Sequence, residues 1–197
     1  MSDASSAVVV LGGPNGAGKS TAAPRLLRGA LKVDEFVNAD TLAQGLSAFR
    51  PEDVAVEAGR LTLRRLDALE AERRSFAFES TLASHGLATR LARLRAGGYT
   101  VHIVYLWLPS VELALARVAE RVRVGGHDVP EASVRRRFRR GRENFFMRYR
   151  VLADKWYMYD ASTVDGPRLV AEGQSNGGVT VHDRSSWHAG AAEYANE

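Results

Sequence analysis

The sequence predicts an α/β domain in which a parallel sheet is wrapped by helices on both faces, and three observations predict it. Val8-Val9-Val10-Leu11 is an unbroken apolar run, as expected of a strand buried on both faces. Apolar stretches of strand length then alternate with stretches of helical periodicity as far as Asp160, the pattern of repeated βαβ units. Glycines and prolines stand at the junctions between them. A chain of 197 residues suits one such domain with a complete core.

The first strand, Val8 to Leu11, runs directly into glycines, and a helix from Ser20 to Ala30 follows. A second strand from Val33 to Asn38 ends at Asp40 and closes a βαβ unit; a short helix from Thr41 to Gly45 comes next. From Pro51 to Arg73, Val56, Gly59, Leu63 and Leu66 recur at i, i+3, i+7 and i+10, which places them on one face of a long helix. Its first turn is acidic, and Pro51 suits the first helical position. Phe76 to Glu79 is a short third strand, and Leu87, Leu91 and Leu94 mark a helix stopped by Gly97-Gly98.

Tyr99 to Leu108 is the fourth strand, and after Pro109 the set Val111, Leu115, Val118 and Val122 makes another amphipathic helix. Gly125-Gly126-His127-Asp128 breaks it. The next helix begins near Pro130, carries Val134, Phe138, Gly141, Phe145 and Tyr149 on one face, and ends near Tyr149, where a second short helix follows. Trp156 to Asp160 is the fifth strand. Arg168 to Glu172 and Val179 to His182 flank a turn-rich link and predict a hairpin, read as a small antiparallel appendage, with Trp187 docking the tail. The expected architecture is a five-stranded parallel sheet in the order 2-3-1-4-5 with a C-terminal β-hairpin, in one domain over residues 1–197.

Composition narrows the chemistry. Apolar residues make up 45% and charged residues 25%, the balance of a folded globular chain. Lys plus Arg number 27 against 23 Asp plus Glu, a net charge of +4 that favours anionic ligands. There is no cysteine, which excludes disulfides, thiolate nucleophiles and cysteine zinc sites and makes a cytoplasmic setting the expectation. Val8 to Leu11 is too short for a signal peptide, and Val101 to Leu108, interrupted by His102, falls below the roughly 18 residues of a membrane span. A soluble protein with no membrane partner is expected.

Gly13-Pro14-Asn15-Gly16-Ala17-Gly18-Lys19-Ser20 matches G-x-x-x-x-G-K-[ST] at every fixed position, and Thr21 follows. A buried strand runs into it and a helix runs out, so its backbone N–H groups are placed to wrap a polyphosphate. Glycines let the chain curl and approach the phosphates without Cβ atoms in the way. Lys19 would reach the β and γ oxygens and the Ser20 hydroxyl would hold Mg²⁺. A dinucleotide site of the Rossmann type has no need of Lys-Ser after its last glycine. The expected ligand is ATP (or GTP) with Mg²⁺.

A motor or transporter ATPase would carry an apolar strand ending in Asp, often followed by Glu; the fourth strand ends instead in Leu108-Pro109 and the third in Phe78-Glu79-Ser80. The carboxyl ends of strands one, two and three of an open parallel sheet face one crevice, so Asp40 and Glu79 should face the phosphate loop. Asp40 suits the base that takes the proton of an attacking hydroxyl, and it equally suits an N-cap for the helix after it. Glu79 and Thr81 would bind or orient the acceptor, or cap the strand end.

Arg117 and Arg121, four apart on a helix, share a face, a spacing suited to two anion contacts, one stacking on the nucleotide base and one pairing with phosphate. Gly125-Gly126 would hinge a lid over about 121–136 that excludes water, with His127 as a residue of the lid turn. Of the dense run Arg135, Arg136, Arg137, Arg139, Arg140 and Arg142, one or two can turn into the crevice, Arg136 first among them. The other reading of this run is a nucleic-acid surface on a nucleotide-dependent ATPase or switch protein. Against nucleic acid, Phe138, Phe145 and Tyr149 fall at core spacing, poorly placed to stack on bases.

These residues resemble the zeta-toxin-like P-loop kinases, in their chromosomal branch, over most of the chain. The resemblance rests on Gly12 through Thr21, Asn38-Ala39-Asp40, Phe78-Glu79-Ser80-Thr81-Leu82, Arg117-Val118 with Arg121-Val122, Gly125 through Pro130, and Arg136-Arg137-Phe138. It implies Asp40 as catalytic base, Glu79 and Thr81 as sugar-nucleotide contacts, and arginines of the helix and lid as clamps on the γ-phosphate. It also implies UDP-N-acetylglucosamine or a similar UDP-amino-sugar as acceptor, and an antitoxin protein as partner. Where relatives often read Asp-Asn-Ser after the late strand, this chain has Asp160-Ala161-Ser162.

Overall fold

A computed structural model describes residues 6–31, 33–126, 128–163, 165–175, 177–192 and 194. Among the described residues, β1 (Ala7–Gly12), β2 (Phe36–Val37), β3 (Phe76–Ser80), β4 (Thr100–Trp107), β5 (Lys155–Asp160), β6 (Arg168–Gln174) and β7 (Val179–Val181) form one sheet. Its order is β2-β3-β1-β4-β5-β6-β7. The first five strands are parallel in the expected order 2-3-1-4-5. The C-terminal hairpin is not a separate appendage: β6 pairs antiparallel with β5 and β7 with β6, so the sheet is mixed and seven-stranded rather than five-stranded and parallel. The physical reason is the free edge of β5, whose backbone groups would otherwise lack partners; β6 covers it from Lys155↔Gln174 to Asp160↔Arg168.

Alternation along the strands sends side chains to two cores. Val8, Val10, Phe76, Phe78, Ile103, Tyr105, Trp156 and Met158 pack on one face; Val9, Leu11, Ala77, Val104 and Leu106 pack on the other. The connections cover both faces: α1 (Lys19–Ala23) with the π-type turns Pro24–Ala30, α2 (Ala39–Leu46), a 3-10 turn (Pro51–Val54) leading into α3 (Ala55–Ala71), α4 (Gly86–Ala96) and α5 (Val111–Arg123). α6 (Glu131–Asn144) widens into π turns over Phe145–Tyr149 and closes with α7 (Arg150–Leu152); α8 (Arg184–Ala191) is the last helix among the described residues. Among the described residues no helix is long and apolar enough to cross a membrane.

Three elements differ from the sequence reading. The second strand is two residues long, because Asn38 leaves it to cap α2 with its side chain. The helix after the phosphate loop changes geometry at Pro24, which has no N–H to give to the preceding turn. On α3 the buried residues are Ala58, Leu66 and Leu69, whereas Val56 is 72% and Leu63 54% exposed. Trp187 does dock the tail, stacked on Trp156 with ring centroids 5.9 Å apart.

α6 positions the segment that follows β3. Val134, Gly141, Phe145 and Tyr149 are buried along one face as expected. Asn144 Nδ2 donates to Leu82 O at 2.8 Å, and the Tyr149 hydroxyl donates to Ser84 O. Leu82 has φ 58°, a left-handed conformation that costs a branched residue about 1–2 kcal/mol. It is held there by complete burial and by the bond to its carbonyl. A Cβ on Gly141 would be driven into the Thr81 carbonyl oxygen, so the helix backbone itself lies against this loop. Gly141→Ala should therefore destabilise the protein by about 1–3 kcal/mol, the usual range for overpacking against atoms that cannot give way. Urea unfolding measures it; an unchanged midpoint would mean that α6 slides freely on the loop.

Candidate active site

The loop between β1 and α1 folds as its glycines require. Gly13 has φ 146°, and a Cβ there would stand 2.5 Å from Leu106 O of the neighbouring strand. Gly18 has φ 73°, but nothing lies within 4 Å of where its Cβ would be; its glycine answers to conformation, and its open side faces the cleft. Asn15 Oδ1 is buried in this loop without a hydrogen-bond partner.

Lys19 is 6% exposed and turns back along the loop. Its Nζ donates to Gly13 O and Pro14 O, each at 2.9 Å, and lies 3.5 Å from Glu79 Oε1. Burial pushes its pKa below the ordinary lysine value; the negative charges of Glu79 and Asp40 oppose the shift and the Arg121 charge adds to it. Ser20 Oγ donates to Glu79 Oε2 at 2.8 Å and accepts from Asn38 Nδ2 at 3.0 Å. Asn38 Nδ2 also donates to Glu79 Oε2 at 2.8 Å. Three chain segments thus meet on one carboxylate.

A cleft of about 290 Å³ opens over this cluster, and its walls bring together Lys19, Ser20, Asp40, Glu79, Arg117 and Arg121. Pro14 and Ala17 close the loop behind it through the Ala17 N–H to Pro14 O bond at 3.2 Å, while Gly16 and Thr21 join the lining. Asp40 is exposed in the first turn of α2. It is not the N-cap: Asn38 fills that place, accepting from Asp40 N at 2.8 Å and Thr41 N at 3.2 Å. Asp is a favoured cap, but the strand ends two residues earlier than its identity suggests.

Arg117 and Arg121 are both half-buried. The Arg117 guanidinium donates to Ala161 O at 2.7 Å and Ser162 O at 2.8 Å, tying α5 to the loop after β5. Behind it a second cleft of about 320 Å³ is lined by Thr21, Arg25, Arg117, Thr163 and Pro167, with Arg25 Nη2 donating to Pro167 O at 3.0 Å. Arg121 lies under Gly126, whose Cβ would stand 2.5 Å from Arg121 Cγ, so the glycine lets the break after α5 close over the arginine. His127 lies outside the described residues.

Other expected site residues stand elsewhere. Arg136 is exposed and its Nη2 donates to Ser133 Oγ at 3.3 Å, away from the cleft walls. Arg137 is half-buried and lies one turn before Gly141, on the face that meets Thr81. Thr81 is half-buried and offers its carbonyl to α6 rather than its hydroxyl to the cleft wall. Glu79, expected on the acceptor, faces Ser20 and Lys19. Asn38 and Arg25 had no role assigned from sequence. Of the arginine run, Arg135 pairs with Glu131 and Glu112, and the Arg142 guanidinium lies 5.6 Å from the Tyr194 ring centroid.

The sheet order, the loop wrapped around Lys19 and the paired clefts define a P-loop α/β domain of the nucleotide-binding class. The family model AAA_33, an AAA domain, matches residues 8–144, and the chain belongs to that family. An uncharacterized protein of Haemophilus influenzae is 30% identical over 128 residues, 64% of this chain and 88% of the relative. Among solved structures, the AvrRxo1-ORF1:AvrRxo1-ORF2 complex crystallised with ATP has a chain similar over 94% of this one, with TM-score 0.71 and 18% identity. This chain spans 63% of that chain's length. The PezAT chromosomal toxin-antitoxin system of Streptococcus pneumoniae is similar over 96% of this chain and 80% of its own, with TM-score 0.67 and 15% identity. At these identities the likeness is one of fold.

Proposed function

We propose that the protein is a kinase that transfers the γ-phosphoryl group of ATP (or GTP) to a hydroxyl of a small acceptor, with a UDP-amino-sugar such as UDP-N-acetylglucosamine as the acceptor that the sequence resemblance favours. The observation that carries this reading is the Asp40 carboxylate on the wall of the cleft that also holds Lys19, Ser20 and Glu79. A carboxylate there can accept the proton of an attacking hydroxyl while the oxygen bonds to phosphorus and the nucleoside diphosphate leaves.

The residues divide the work. The open side of Gly18 leaves room for phosphates against the loop backbone. Lys19 exchanges its two carbonyl partners for phosphate oxygens, a stronger, charge-assisted pairing. Arg121 pairs with the transferring group, and Arg117 stands where the phosphate cleft meets the second cleft, the place for the base. Among the described residues no group of three or more His, Asp or Glu is arranged to hold a metal. The Ser20 and Glu79 oxygens suit Mg²⁺, which keeps water and phosphate among its ligands and neutralises charge on the phosphates. A cytoplasmic setting and an antitoxin-type partner protein belong to the same reading.

Exposed Arg139 and Arg140 on α6 favour the second reading, a nucleotide-dependent nucleic-acid-binding protein. The test is incubation of the protein with ATP or GTP, Mg²⁺ and a cell-metabolite pool, with mass spectrometry for species that gain one phosphate. ADP release that requires UDP-N-acetylglucosamine or another acceptor is expected. Acceptor-independent ADP release, together with oligonucleotide binding that weakens steeply with salt, would replace the kinase reading by the second one.

A further inference from the structure

Asn38 uses its whole carboxamide, and each end serves a different part of the cleft. Oδ1 accepts from Asp40 N and Thr41 N at the start of α2; Nδ2 donates to Ser20 Oγ and Glu79 Oε2. The network fixes the orientation, because a reversed amide would set N–H against N–H on one side and oxygen against a carboxylate on the other. The residue is 7% exposed and stands between the last residue of β2 and the first of α2. It is therefore a rigid link of one side chain between the Ser20–Glu79 pair and the helix turn that carries Asp40.

We propose that Asn38 is a positioning residue that sets Asp40 against the phosphates, an inference that rests on the kinase reading above. Capping alone does not require asparagine, since Asp and Ser accept from the same backbone N–H groups with similar effect. What asparagine adds is the pair of N–H donors at its other end. Asp would oppose an oxygen to Glu79 Oε2, and a serine hydroxyl is too short to serve both ends.

Asn38→Ser and Asn38→Asp thus separate the two roles. Asn38→Ser should keep the unfolding midpoint close to that of the parent, because the cap survives; Asn38→Asp keeps the cap too but sets a second carboxylate against Glu79, so it alone should lower the midpoint. Both should lower kcat about 10²-fold, the scale of a displacement of about 1 Å at a reacting group. In Asn38→Ser, ADP affinity measured without acceptor should stay within about threefold, since Lys19 and the loop backbone keep their own contacts and only the bond to Ser20 Oγ is lost. Parental kcat in both variants overturns the inference and leaves the kinase reading standing. In Asn38→Ser, a kcat loss that only follows a fall in the unfolding midpoint also overturns it, by reducing Asn38 to a cap. A parent protein that binds ATP and phosphorylates nothing in the pool removes the kinase reading, and the inference with it.

Discussion

Lys19→Ala is expected to lower kcat/KM for ATP about 10²–10³-fold, the cost of removing one preorganised donor from a developing charge. The side chain is buried along the loop, and its Nζ has only to turn from the Gly13 and Pro14 carbonyls to the phosphate oxygens. The fold should survive the change. Glu79 keeps its bonds from Ser20 and Asn38, and the variant loses a cation whose burial is itself unfavourable. Lys19→Met, which conserves volume, should show the same kinetic loss and bind ATP as weakly. Isothermal titration with ATP measures the binding term, and parental affinity with parental turnover in either variant would remove Lys19 from the phosphate site.

The lowered pKa of Lys19 adds a pH signature. The folded protein releases this proton at a lower pH than the unfolded chain does, so Lys19 makes stability rise with pH between its folded pKa and the ordinary lysine value of 10.5. Triphosphate favours the charged form and moves the group the other way. Affinity for ATP should fall as pH rises through the folded pKa, with proton uptake on binding in that window, and Lys19→Met should abolish both.

Much of the fold was legible because the sequence patterns and the packing demand the same thing. Val8 to Leu11 has no polar side to offer, so β1 could only be an inner strand, and the glycines after it could only be the curl. The reading went astray where local patterns are degenerate. Leu63 and Leu66 both belong to helical stripes of α3, and only the position of α3 against its neighbours buries Leu66 and exposes Leu63. The pairing of β6 with β5 depends on the free edge of a distant strand, which no local signal reports. At the site, the motif and Asp40 were visible as residue types. Asp40 as a cap falls two positions after the true cap, Asn38, which hides the bridging role of Asn38. Arg136 and Arg137 are indistinguishable by composition; only the packing of α6 exposes the first and half-buries the second.

Asp40→Asn tests the other half of the chemistry. The change keeps size and removes the charge and the proton acceptor, so kcat for phosphoryl transfer should fall about 10²–10⁴-fold. Nucleotide affinity should hold or improve, because Asp40 lies within electrostatic reach of Lys19 on the same cleft and its charge opposes that of the phosphates. Stability should fall by no more than about 0.3–1 kcal/mol, the worth of an acidic residue in a first helical turn. These three readouts separate the roles open to this carboxylate. A base loses turnover alone, a phosphate-side ligand of the metal loses nucleotide affinity with it, and a mere first-turn charge loses only the small stability term. ADP release with acceptor, ATP titration without it and urea unfolding of the same variant decide among them. Retained turnover would show that Asp40 is not the base, and among the described residues the only other carboxylate on the cleft wall, Glu79, is engaged by Ser20, Asn38 and Lys19.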